Sequence, residues 1–209
     1  PRYDIPVTGV ADDGSPTGIH IAYHPNGQVR TRGEYFNGFR HEKWTWWYED
    51  GETIVCEGGY EAGVMNGMWR WYYPTGTVQV EFTFLMGKRD GRSRRWYPNG
   101  QVDRETHWKD DVMHGPATYW WKNGNKLIEE VYSGGKQEGV ARWWYENGQL
   151  QDEKTWIGGK RHGPTTKWYE NGQMDWQGEY YHSPPTGYPG EMRHGKWTHW
   201  HKYGQLWSE

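Results

Sequence analysis

Trp144 to Pro164 read WYENGQLQDEKTWIGGKRHGP, and at Trp168 the chain starts again with WYENGQ. Aligning the glycine that closes each such turn gives YHPNG ending at Gly27, YEDG at Gly51, YPTG at Gly76 and YPNG at Gly100. It continues with WKNG at Gly124, YENG at Gly148 and Gly172, and KYG at Gly204, at spacings of 24, 25, 24, 24, 24, 24 and 32 residues. A second marker keeps the same period. Gly18, Glu42, Gly67, Gly91, Gly115, Gly139, Gly163 and Gly195 each stand nine residues before a turn glycine. Two markers holding one period over eight units define a repeat array, in which each unit buries its faces against its neighbours.

Each unit reads as strand, tight turn, strand, wider turn. Asn-Gly between aromatic-rich runs, at Asn99-Gly100, Asn123-Gly124, Asn147-Gly148 and Asn171-Gly172, predicts hairpins with type I′ turns. The wider turn carries glycine at both ends, as in Gly159-Lys160-Arg161-His162-Gly163. No window keeps a 3.6-residue apolar period, and Gly or Pro interrupts every candidate helix. The expected fold is all-β: an elongated antiparallel meander of stacked β-hairpin repeats, about eight units of ~24 residues and about fifteen strands. Residues 1–17 read as a leader or N-terminal cap, and 18–209 as the array. The last spacing is long because of a Pro/Gly-rich insertion at 182–190, HSPPTGYPG.

Composition explains what can hold such a sheet together. Leu, Ile, Val and Phe number 25 of 209 residues, too few for a thick aliphatic core, whereas Trp and Tyr number 17 and 16. Those rings fall in columns. Four residues before the turn glycine stand Tyr23, Trp47, Tyr72, Trp96, Trp120, Trp144, Trp168 and Trp200. The next position holds His24, Tyr48, Tyr73, Tyr97, Trp121, Tyr145, Tyr169 and His201. Since consecutive strand residues face opposite sides, the two columns stripe both faces. Tyr35, Tyr60, Phe84, Trp108, Tyr132, Trp156 and Tyr180 form a third column on the return strands. Cross-strand ring pairs of roughly 0.2–1 kcal/mol each then add up along the array. An acidic column, Glu81, Glu105, Glu129 and Glu153, is expected opposite basic neighbours.

The same reading excludes several function classes. A net charge of −3 gives no footprint for nucleic acid, and no run of 18 apolar residues predicts a transmembrane helix. One cysteine, Cys56, excludes an internal disulfide framework and reads as a packed strand residue. His41, His114, His162 and His194 recur at the wider turn, about 10 Å apart between adjacent hairpins, too far to share an ion. His199 and His201 share a strand face but occupy columns held elsewhere by Trp, Tyr, Arg or Lys, so no metal or other cofactor is expected. Nucleophile-elbow, phosphate-loop and zinc-protease motifs are absent. A unit repeated eight times lacks the single concave constellation of an enzyme, and no catalytic residues are expected. Pro1 fits removal of an initiator Met or of a signal peptide, which leaves both the cytoplasm and export open.

The Y-x-N-G-Q turn, the aromatic eight residues after it and G-K-x-H-G resemble MORN-variant repeats, in the form found in bacterial antitoxins of the YwqK type. The resemblance spans about residues 18–207 and departs from the pattern at Glu42, Asn66-Gly67, Glu138-Gly139 and the 182–190 insertion. It implies stacked hairpins, no catalysis, and work done by binding a partner protein, either a toxin or a larger assembly. The expected contacts are Trp47, Trp96, Trp120, Trp144 and Trp168, with Tyr188 in the insertion supplying specificity. Rows of exposed Trp and Tyr also suit sugar stacking, so a carbohydrate-binding module is the alternative.

Overall fold

A computed structural model describes residues 9–10, 14–181 and 192–208. The insertion at 182–190, with Tyr188, and most of the 1–17 leader lie outside the described residues. The chain divides into two compact units, one of residues 1–100 with 108–111, the other of 101–107 with 112–209. The first holds β1 (Gly9–Val10), β2 (Pro16–Tyr23), β3 (Val29–Phe36), β4 (Phe39–Trp47), β5 (Ile54–Glu61), β6 (Val64–Tyr72), β7 (Val78–Leu85) and β8 (Lys88–Trp96). β9 (Val102–Lys109) divides between the two. The second holds β10 (Val112–Trp120), β11 (Lys126–Ser133), β12 (Lys136–Trp144), β13 (Leu150–Ile157), β14 (Lys160–Trp168), β15 (Met174–Tyr181), β16 (Met192–Trp200) and β17 (Leu206–Ser208). Within each unit consecutive strands pair antiparallel, and no helix interrupts them among the described residues. The all-β hairpin meander is therefore the fold, with the described strands numbering seventeen rather than about fifteen.

The turns are the reverse of what the sequence suggests. At the Asn-Gly turn the Gly27 N–H donates to the His24 carbonyl and the His24 N–H to the Gln28 carbonyl, while only Gly27 has positive φ, at 86°. That is a type I turn closed by a left-handed glycine, a three-residue loop and not type I′. Asn26 explains the difference. Its side-chain oxygen accepts from the Gln28 N–H, and its amide donates to the Glu49 carbonyl of the next unit. Asn123, Asn147 and Asn171 repeat both bonds.

Type I′ geometry sits at the other turn. Asn37-Gly38, Ala62-Gly63, Met86-Gly87, Asp110-Asp111, Gly134-Gly135 and Gly158-Gly159 each pair two positive φ values, near +50° and +80°. These are two-residue loops, with Phe36 opposite Phe39 and Ile157 opposite Lys160. The glycine expected to close a wider turn, such as Gly163 at φ 92°, instead opens a bulge inside the following strand. Glu42 fills that bulge position in one unit at φ 53°.

Each sheet face has its own chemistry. On one face of the first unit the rings of His20, Tyr35, Trp44, Trp46, Tyr60, Trp69 and Trp71 touch in succession, with centroids 5.1–6.5 Å apart. Arg40 lies over Trp44 at 4.6 Å and over Tyr60 at 5.3 Å. Burial alone would lower the Arg40 pKa, but hydrogen bonds to Tyr35 and Tyr60 outweigh it and hold the guanidinium above its ordinary value. Trp44 and Trp69 are 1% and 2% exposed, which makes this ring lattice the core of a sheet with no second layer among the described residues. We call it the ring face. The second unit continues the theme with Trp176 and Tyr180 against Trp197, Lys154 over Trp143 and Arg193 over Trp197.

Deep indoles need space, and the sequence provides it eleven residues earlier. Trp44 lies against Gly33 and Trp69 against Gly58, and a methyl group at either glycine would overlap the indole. Where the earlier residue is larger, the later one shrinks: Phe82 precedes Ser93, Glu130 precedes Ala141, and Lys154 precedes Thr165. Ser93, Ala141 and Thr165 are all buried. Trp197 lies on Gly178 in the same way, at the longer offset that the insertion creates. Volume is thus conserved pairwise between neighbouring strands, as close packing demands.

Candidate functional site

The opposite face carries the charges. Lys43 meets Glu57 at 2.7 Å, Arg70 meets Glu81 at 2.6 Å, Lys126 meets Glu129 at 2.8 Å and Arg142 meets Glu153 at 2.7 Å. The acidic column expected opposite basic residues on neighbouring strands therefore forms at Glu81 and Glu153, whereas Glu129 pairs with Lys126 of its own strand. Burial alone would raise the Glu57 carboxyl, yet hydrogen bonds from Lys43 and Tyr72 more than offset it and bring it below its usual range.

In each unit the candidate tryptophans lie on the charged face of that unit. Trp47, Trp96, Trp120, Trp144 and Trp168 end β4, β8, β10, β12 and β14, and each is half-buried. In the first unit Tyr72 stands between Trp47 and Trp96 in chain order, ending β6; in the second, Trp120, Trp144 and Trp168 end alternate strands. Such alternate strands lie about 10 Å apart, so the indoles are spaced along the face and not stacked. Lys126 approaches the Trp144 ring at 5.5 Å and Arg94 the Trp96 ring at 5.9 Å. Tyr188, the remaining candidate, lies outside the described residues.

Side-chain bonds to its backbone carbonyls fix this column while its rings remain half-buried. The residue after the column position in one unit bonds to the column carbonyl of the next. His24 Nε2 pairs with the Trp47 carbonyl at 3.0 Å. The Tyr48 hydroxyl donates to Tyr72, Tyr73 to Trp96, Tyr145 to Trp168 and Tyr169 to Trp200, with Trp121 Nε1 donating to Trp144. The sequence expectation put this second column on the sheet faces as a stripe. Its role is instead to staple each turn to the next unit, because it stands just past the strand end.

The other candidates all have partners within the scaffold. Burial, with help from Glu57, pushes the Cys56 thiol up to about 11, which leaves little thiolate at neutral pH. His162, Tyr181 and His194 stack at 5.1 and 5.7 Å, His114 Nδ1 accepts from the Gly134 N–H, and His199 and His201 flank Trp207. No three His, Cys, Asp or Glu side chains among the described residues are grouped to hold a metal ion. Sequence reasoning missed the ring face at Trp44, Trp69 and Trp197. The signal was the eleven-residue pairing of glycine with tryptophan, which an alignment on turn glycines alone passes over.

A family model for the MORN repeat variant matches residues 16–37, 65–85, 89–110, 137–157 and 161–181, just over half the chain. This chain belongs to the MORN repeat variant family. Each matched segment is one hairpin built on a type I turn, from β2–β3 to β14–β15. The unmatched hairpin β10–β11 has the same register as the matched ones, and β4–β5 differs by one extra residue in its turn. A search of curated proteins returned no match. Within the MORN-variant hairpin the five candidate tryptophans occupy one structural position, the last residue of the first strand.

Proposed function

We propose that this MORN-variant protein works by binding a partner protein through the charged face of each unit, with Trp47 and Trp96 as anchors in the first and Trp120, Trp144 and Trp168 in the second, and without catalysis. The observation that carries the reading is the column itself: half-buried indoles on backbone that is stapled unit to unit. Aromatic anchors held rigid before contact lose little entropy on binding, and rings set among charged side chains make effective contact centres. Repetition of one unit supports recognition over chemistry, since every copy offers the same groups. An antitoxin or immunity role, occluding a toxin domain, fits a preformed surface of this kind; an accessory subunit of a larger assembly is the other form of the same activity. Affinity capture of the tagged chain from its native cells, followed by mass spectrometry, separates them. A toxin recovered in stoichiometric amount supports the first and a multi-subunit assembly the second, while capture of no stoichiometric protein contradicts both.

A further inference from the structure

Two hollows open on the charged face, one in each unit, at equivalent places in the repeat. The first, about 380 Å³, is lined by Ile19, Arg32, Glu34, Glu42, Lys43, Thr45 and Trp47 together with the backbone of Gly33. The second, about 450 Å³, is lined by Pro164, Thr166, Gln177, Glu179, His194 and Lys196, with Gly178 in the place of Gly33. Both volumes fall within the roughly 300–1,000 Å³ of small-ligand sites.

The sequence marks these two places and no others. Gly33-Glu34-Tyr35 followed by Lys43-Trp44-Thr45 recurs as Gly178-Glu179-Tyr180 followed by Lys196-Trp197-Thr198. The units between carry Gly59, Thr83, His107, Val131 and Thr155 at the glutamate position, and Met68, Arg92, Pro116, Val140 and Pro164 at the lysine position. The fold does not require the glutamates. Glu34 and Glu179 are exposed, and neither carboxylate has a hydrogen-bond or ion-pair partner among the described residues; the same is true of the Arg32 guanidinium.

We propose that both hollows are sites for a neutral, hydroxyl-rich ligand, a short oligosaccharide. Each wall mixes acceptors (Glu34 and Glu42; Glu179) with donors (Arg32 and Lys43; Lys196), plus a hydroxyl from Thr45 or Thr166 and an apolar surface from Ile19 and Trp47 or from Pro164. An anion would meet the glutamates and a cation the lysines. Sugar hydroxyls donate and accept at once, so they satisfy both kinds of group, and the apolar face of a pyranose suits the half-buried Trp47 indole. The first hollow shares Trp47 with the protein-binding reading, but the two are tested apart, because the free glutamates lie outside the column and a sugar titration involves no partner protein.

The test is amide NMR of the whole chain during titration with cellotriose, maltotriose or chitotriose, alongside glycine as a zwitterion control. At least one trisaccharide is expected to produce saturable shifts around both Glu34 and Glu179. Glu34→Gln removes the first set only and Glu179→Gln the second only, while thermal melting confirms that both variants remain folded. Absence of saturable shifts with all three sugars, equal shifts with glycine, or shifts that persist in the glutamine variants would each overturn the proposal.

Discussion

Gly58 has no space for a methyl group, because the Trp69 indole occupies it. Gly58→Ala should cost about 3 kcal/mol, at the upper end of overpacking, since a ring 2% exposed cannot swing aside. Trp69→Ala should cost about 3–5 kcal/mol by itself, yet the double variant should be less destabilised than the two effects summed. Denaturant titration checks this. Half-buried Trp47 or Trp96 replaced by alanine should cost less, about 2 kcal/mol, which separates the tryptophans at the core of the ring face from those proposed as anchors. Glu42 occupies a left-handed position that every other unit gives to glycine. Relief of the ~1–2 kcal/mol left-handed cost, less the ~0.5–1 kcal/mol entropy loss of glycine, predicts that Glu42→Gly raises stability by about 0.5 kcal/mol. Tyr72 offers a pH test: burial, then its bond to Glu57, pushes the hydroxyl up to about 12. A raised folded-state pKa contributes stability that is complete below the unfolded value near 10 and is lost as pH climbs toward about 12. The alkaline limb of Tm against pH should therefore be shallower in Tyr72→Phe, and an unchanged limb would refute the assignment.

Strands were legible at the level of elements because alternation and Asn-Gly punctuation are local signals. Turn type was not. Asn-Gly favours type I′ when only its backbone matters, but here the Asn147 side chain accepts from the Gln149 N–H and donates to the Glu170 carbonyl of the next unit. The second bond is non-local, and it is what the dipeptide cannot reveal. Removing both bonds with Asn147→Ala should cost about 1–2 kcal/mol and speed hydrogen exchange at the Gln149 amide, while the turn at Gly172 keeps its own bonds and its protection. Equal loss at both turns would show that the unit is not the element of local stability. Glu130 illustrates another tertiary effect. It is 6% exposed despite its carboxylate, because Tyr132 and Gln137 donate to its two oxygens and the small Ala141 leaves it space.

For the molecule as a whole, period, hairpin meander and the absence of helix could be read from turn glycines alone, and the family match at five hairpins agrees with them. The division of labour between faces could not, because plain alternation puts Trp44 and Trp47, three residues apart, on opposite faces without telling which face is packed and which is charged. In the proposed function the ring face keeps the fold and the charged face of each unit does the recognising. Quantitative capture from native cells with three baits tests it directly: the wild-type chain, a variant with Trp47, Trp96, Trp120, Trp144 and Trp168 changed to alanine, and Arg40→Leu as a ring-face control. A stoichiometric partner retained by the wild type and the control, and lost from a folded column variant, is the predicted result. A partner retained by the column variant, or lost only from the ring-face control, would contradict it.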